Sequence, residues 1–128
     1  MVTVGNLMKQ DLVTVDSATS VVEAAKLMKA CNVGSVLISQ EGTVVGIVTE
    51  SDMIRKFVAV DRGADVLLPV KEIMSSPVLR IDARRPITEA ADVMNKHRTR
   101  HLGVTEEGVL VGVVSVRDFL HPVAIDEF

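Results

Sequence analysis

Glu41-Gly-Thr-Val-Val-Gly-Ile-Val-Thr-Glu-Ser-Asp52 is answered 66 residues later by Glu107-Gly-Val-Leu-Val-Gly-Val-Val-Ser-Val-Arg-Asp118. Each stretch runs from a turn glycine through a β-branched strand to a hydroxyl residue, then to an aspartate three positions on. Followed outward without a gap, the same offset matches Val4, Met8, Asp16, Glu23, Ala24, Ala25 and Met28 with Val70, Met74, Asp82, Glu89, Ala90, Ala91 and Met94. The chain is one unit written twice, and its fold is read from the repeat.

Each copy reads β-α-β-β-α. A short apolar strand, Leu12 to Val15 or Val78 to Ile81, leads into a polar helix start. Ser20 with Glu23 matches a capping box, and Pro86 suits the same place in copy two. Val21, Ala24, Ala25 and Met28 form one apolar helical stripe, repeated by Ile87, Ala90, Ala91 and Met94. A hairpin follows: Ser35 to Ile38 and Thr43 to Val48 around Ser39–Gly42, then Leu102 to Val104 and Val109 to Val114 around Thr105–Gly108. Closing helices start near Ser51 and Arg117. Copy one spans residues 1–60, a polar connector 61–69, copy two 70–122 and a tail 123–128, in which Phe128 is a candidate docking residue. A unit of about 55 residues with three strands covers only one sheet face with its own helices, so the other face needs a partner. The expected fold is α+β, with the two repeats packed sheet to sheet about a pseudo-twofold axis and two equivalent clefts where they meet.

Composition narrows the function. The chain has 128 residues, 48 % apolar and 24 % charged, with a net charge of −3. That balance allows a packed core and argues against disorder. One cysteine excludes an internal disulfide, no apolar run reaches the roughly 18–20 residues of a membrane span, and the start carries no export pattern. A cytoplasmic protein is expected. Mild acidity and three aromatic residues disfavour nucleic-acid binding.

Thr49 with Asp52, and Ser115 with Asp118, place a hydroxyl and a carboxylate at a strand-to-helix turn. The carboxylate can accept hydrogen bonds from a vicinal diol such as ribose, and the helix start favours phosphate. The same pattern is also a helix cap, and two copies need two caps. From spacing alone both readings stand.

The ordered set Val4-Gly-Asn-Leu-Met8, Leu12-Val-Thr-Val15, Val33-Gly-Ser-Val-Leu-Ile38, Gly42 to Asp52 and its echoes Val70-Lys-Glu-Ile-Met74 and Gly108 to Asp118 resembles a tandem pair of cystathionine β-synthase (CBS) domains, the Bateman module. The likeness runs from Val4 to Leu120. It implies a regulatory, non-enzymatic module, an energy sensor without a catalytic cofactor, whose clefts bind AMP, ADP or ATP. S-adenosylmethionine, a dinucleotide, or no ligand at all in a dimerisation scaffold are the alternatives. By position, the family's ribose-binding aspartates fall on Asp52 and Asp118, and their hydroxyl partners on Thr49 and Ser115. The resemblance groups Asp118 and Ser115 with Leu12, Val13 and Thr14, and Asp52 and Thr49 with Ser76, Pro77 and Val78. These segments would hold adenine by apolar contact and backbone hydrogen bonds, a mode that needs no aromatic ring. Arg100 and His101 match positions that face phosphates, whereas copy one has Gly34 and Ser35 there. The Asp118 site is therefore expected to take a charged nucleotide, and the Asp52 site a less charged one, a weak one or none.

The remaining candidates read more simply. Lys96 and Arg98 suit a solvated helix end. His97 and His101 straddle a helix-to-strand junction and lack further ligands, so a metal is not expected. Cys31 reads as a buried, inert thiol, and Arg84-Arg85 and Arg55-Lys56 as solvated faces. The chain carries no G-x-S-x-G or P-loop pattern, which argues against an enzyme. A homodimer is expected through the closing helices, Ser51 to Val60 and Arg117 to Leu120, with Met53, Ile54, Phe57, Val58, Phe119 and Leu120 as its apolar surface. An effector protein of unknown identity would receive the signal in trans.

Overall fold

The computed structural model describes residues 1–60 and 66–120. It is α+β, with two three-stranded sheets, each with its strands in chain order. The core of the expected connector, residues 61–65, and the tail with Phe128 lie outside the described residues. The chain forms two compact units that do not follow the repeats. One comprises Val13–Val78, the other Met1–Leu12 with the chain from Leu79 onward.

In the Val13–Val78 unit, β1 (Thr14–Asp16) pairs parallel with β2 (Ser35–Gln40), and β2 pairs antiparallel with β3 (Thr43–Thr49). Parallel neighbours require a crossover. It is supplied by α2 (Val21–Cys31), whose Ser20 Oγ accepts the Glu23 N–H at 3.1 Å. Asn32, in left-handed conformation, ends this helix. The hairpin turns on Glu41 and Gly42, both at positive φ, the geometry of a two-residue turn whose twist suits its strands. The turn is thus two residues shorter than Ser39–Gly42, and a bulge after Ile38 absorbs the difference in register. After β3 comes α3 (Glu50–Met53), continued by a π-helical turn over Ile54–Val58. Val15, Val21, Ala24, Met28, Val36, Ile38, Val48 and Phe57 form the core.

The leading segment of copy two completes this core. Its 3-10 turn Val70–Glu72 buries Val70 and brings Ile73 into the same cluster. Val21 N–H donates to Leu68 O at 2.8 Å, and Ile47 and Ser75 exchange backbone hydrogen bonds at 3.0 and 2.9 Å. Gly46 permits that approach, since a Cβ there would lie 2.9 Å from the Ser75 carbonyl oxygen and 2.7 Å from Met74 Sδ.

The other unit repeats the pattern with the segments exchanged. It holds β4 (Arg80–Asp82), α4 (Ile87–His97), β5 (His101–Glu106), β6 (Val109–Ser115) and α5 (Val116–Phe119). The leading segment of copy one, with α1 (Val4–Leu7), packs into it: Val4 and Gly5 donate to Arg85 O and Ala83 O at 2.9 and 2.8 Å. Lys9 and Val113 exchange backbone hydrogen bonds at 2.8 and 3.0 Å. Val4, Ile81, Ala90, Met94, Leu102, Val104 and Val114 are its core.

Several expectations change. The first strands begin two residues later than Leu12 and Val78, because pairing opens at Thr14 with Leu37 and at Arg80 with Gly103. The closing helices start at Glu50 and Val116, one residue earlier than expected. Cys31 is exposed, not buried: it keeps the spacing of Ala24 and Met28, but it is the last residue of α2 and stands at the open end of the stripe. Of the six apolar residues assigned to a dimer surface, Phe57 is buried, and Met53 and Phe119 pack on their own cores; Ile54, Val58 and Leu120 are exposed.

Candidate functional site

β3 delivers Thr49 in extended conformation to the start of α3, where the first N–H groups lack helical partners. Thr49 Oγ1 accepts the Asp52 N–H at 3.2 Å, and Asp52 Oδ2 accepts Thr49 N–H at 3.0 Å and Thr49 O–H at 3.1 Å. This is a reciprocal cap. The second oxygen, Oδ1, lies 3.0 Å from Lys56 Nζ. Lys56 Nζ also donates to Ile73 O at 3.3 Å and Ser75 Oγ at 3.5 Å, so one ammonium joins the cap of copy one to the leading segment of copy two. Beside it, Ser76 Oγ donates to Val45 O at 2.6 Å. Thr49, Asp52, Ser76, Pro77 and Val78 therefore belong to a single compact unit.

In the other unit Asp118 Oδ2 accepts Ser115 N–H at 2.8 Å and Ser115 O–H at 3.2 Å. Ser115 is the cross-strand partner of His101, and Val116 N–H donates to Arg100 O at 3.0 Å. Ser115, Asp118, Arg100 and His101 thus gather at one end of the β5–β6 pair. Arg100 is exposed there, and Thr99 Oγ1 donates to His101 O at 3.2 Å. Among the described residues no cation pairs with Asp118. One carboxylate oxygen is thus held by a cap in each unit, while the other is paired with Lys56 at Asp52 and meets no cation among the described residues at Asp118.

Leu12 falls in the unit of Asp118, but Val13 and Thr14 fall in the other. The Val13 carbonyl accepts Leu37 N–H at 2.9 Å, as that of Leu79 accepts Gly103 N–H at 2.8 Å, so both carbonyls belong to the sheets. Lys9 pairs with Val113 of β6 as Ser75 pairs with Ile47 of β3, and the 66-residue offset aligns these two residues directly. Spacing does not show the contacts of Lys56. Read as half of a basic pair, it belongs to a solvated face; its partners, Ile73 and Ser75, are distant in sequence. His97 ends α4 and His101 opens β5, so they do not share a helical face. Among the described residues no three His, Cys, Asp or Glu side chains gather to hold a metal, and no helix is long and apolar enough to cross a membrane.

Comparison with known proteins agrees with this architecture. The CBS domain-containing protein YhcV of Bacillus subtilis is 30 % identical over 118 residues, covering 92 % of this chain and 83 % of that protein. Two further relatives, 31 % and 39 % identical, are longer, and the chain spans 61 % and 59 % of them. Among solved structures, the CBS-domain containing protein ATU1752 from Agrobacterium tumefaciens superposes with a TM-score of 0.85 at 32 % identity, over 94 % of this chain and 93 % of that one. The CBS domain pair of protein MJ0100, solved in complex with 5′-methylthioadenosine and S-adenosyl-L-methionine, gives 0.82 at 25 % identity over 97 % of both chains. The family model for the CBS domain matches residues 4–59 and again 70–124. This chain belongs to the CBS-domain family and carries the domain twice, as a regulatory tandem pair.

Proposed function

We propose that the protein is a sensor of adenosine-containing nucleotides, AMP, ADP or ATP, with its principal site at Asp118. The observation that carries this reading is the asymmetry of an otherwise repeated arrangement. Both carboxylates are oriented by a cap, but among the described residues only Asp52 has its second oxygen paired with a cation, and only the unit of Asp118 adds Arg100 and His101 beside the capped turn. An oriented, half-open carboxylate suits a ribose diol, and a nearby guanidinium suits phosphate. Each site combines the cap of one repeat with the leading segment of the other.

Titration calorimetry with AMP, ADP, ATP and S-adenosylmethionine tests the proposal. Asp118→Ala is expected to weaken nucleotide binding by about 1.5–3 kcal/mol, the scale of a charge-assisted hydrogen-bond pair. Lower folding stability at unchanged affinity would leave Asp118 a cap only. Arg100→Ala is expected to harm ATP and AMP more than adenosine; equal losses would remove its phosphate role.

A second reading, an S-adenosyl ligand, is favoured by the complex reported for MJ0100 and by Gly34 and Ser35 at the Asp52 site, where a ligand without phosphates meets no missing cation. The protein is proposed to act without turnover, to be cytoplasmic and to assemble as a homodimer through the exposed parts of its closing helices.

A further inference from the structure

We infer that Lys56 is an internal latch on the Asp52 site: its ammonium occupies the carboxylate oxygen that a ligand hydroxyl would need, and so makes the two sites of the pair unequal. The inference rests on the proposed role of the capped aspartates and adds a determinant of which one fills first.

Asp52 Oδ2 is fully engaged with Thr49, leaving Oδ1 as the acceptor for anything arriving from outside. Lys56 Nζ lies 3.0 Å from that oxygen, and the carboxylate side chain is only 12 % exposed. The ammonium is also held from the far side by the Ile73 carbonyl and the Ser75 hydroxyl, so its three donors converge on fixed acceptors from two chain segments. Oδ1 keeps one further acceptor position, so a ligand hydroxyl must share that oxygen with the ammonium, or displace it, at a carboxylate whose charge is already compensated. The lysine sits in the π-helical turn over Ile54–Val58, a local widening of a kind that recurs at functional positions.

Among the described residues copy two does not repeat the device. The offset that maps Asp52 on Asp118 maps Lys56 on Pro122, which has no amine and lies outside the described residues. The position of Ser75 is taken by Lys9, whose backbone pairs with Val113 and which makes no ion pair with Asp118. Lys56 is therefore a specificity-determining residue peculiar to one site, independent of the Arg100 and Gly34 difference at the other end of the same turns.

The test uses the full chain in an Asp118→Ala background, which isolates the Asp52 site, titrated with AMP and with S-adenosylmethionine. Lys56→Met keeps the apolar stem and removes the charge; it is expected to tighten binding about threefold to tenfold, the scale of a half-exposed ion pair, and Asp52→Ala is expected to abolish the gain. Unchanged or weaker binding in Lys56→Met would overturn the latch and make the lysine a spectator or a ligand contact. A readout without ligand separates this from failure of the functional proposal. In the wild-type chain, acetylation of Lys56 by an N-hydroxysuccinimide ester, followed by mass spectrometry, is expected to run at least about threefold slower than in Asp52→Asn. Equal rates refute the latch. If neither probe binds the wild-type chain or the Lys56→Met chain, the nucleotide proposal fails, and the labelling ratio still decides whether the ammonium is held.

Discussion

Asp16 and Asp82 are identical in the two copies for a reason that needs no ligand. Each ends a first strand and turns its carboxylate back to a backbone N–H two residues on, Ala18 at 2.9 Å and Arg84 at 2.8 Å, starting the loop into α2 or α4. At Asp82 the side chain of Arg84 adds a second bond, Nε to Oδ1 at 3.0 Å. The hydrogen bonds from the Arg84 side chain, then from its backbone, hold the Asp82 carboxyl below its ordinary value of 3.8. A group whose folded-state value is lowered stabilises the fold above its unfolded value, and that contribution disappears as pH falls through the lowered one. Arg84→Ala is expected to move the Asp82 titration, followed by carboxyl NMR, part of the way back up, since the backbone bond survives; an unmoved curve would deny the side-chain bond its role. The contrast with Asp52 and Asp118 is instructive about what sequence can carry. Spacing makes Asp52 and Asp118 legible as cap residues, because those bonds span three positions, whereas Asp16 and Asp82 read only as repeated positions at a polar helix entry. It did not separate Asp52 from Asp118, because the distinguishing ammonium also reaches Ile73 and Ser75, which only the folded chain brings near.

At the scale of elements, what was legible had a period. The eleven-residue helices α2 and α4 stand where their apolar stripes put them, and the hairpins follow their turn glycines. The leading segments were not legible. α1 has four residues and the Val70–Glu72 turn three, too few for a helical stripe, and their burial is set by a sheet from the other repeat. Gly46 and Gly112 carry the trace of that contact in sequence. A Cβ at Gly112 would lie 2.9 Å from the Lys9 carbonyl oxygen and 2.8 Å from Met8 Sδ, and the backbone oxygen cannot yield as a flexible side chain can. Gly112→Ala is expected to cost about 1–3 kcal/mol of stability by overpacking, measured by urea denaturation. Gly108, at φ 79° with nothing near its Cβ position, would answer the same substitution through backbone strain alone.

For the molecule as a whole, the exposed residues Ile54 and Val58 lie one turn apart on the closing helix of the Val13–Val78 unit, at 62 % and 63 % exposure. Apolar pairs left this open fit an interface with a second copy. Ile54→Glu with Val58→Glu is expected to convert the proposed homodimer to monomer in sizing with light scattering, without loss of helicity. A wild-type monomer or a larger assembly would refute the dimer. Repeat and periodicity sufficed to read the fold class, and the resemblance of the ordered motifs to read the family, because both run along the entire chain. The partition of that chain into compact bodies was not readable, because it depends on which copy each leading segment joins.

That exchange has an evolutionary corollary. A single ancestral copy could not have closed its own core: the piece that buries the middle of its sheet had to come from a neighbour. Two chains of one repeat each could close both cores only by trading their first dozen residues, as the two halves of this polypeptide do. A cut between the repeats today should recreate that partnership, yielding fragments that depend on each other to fold.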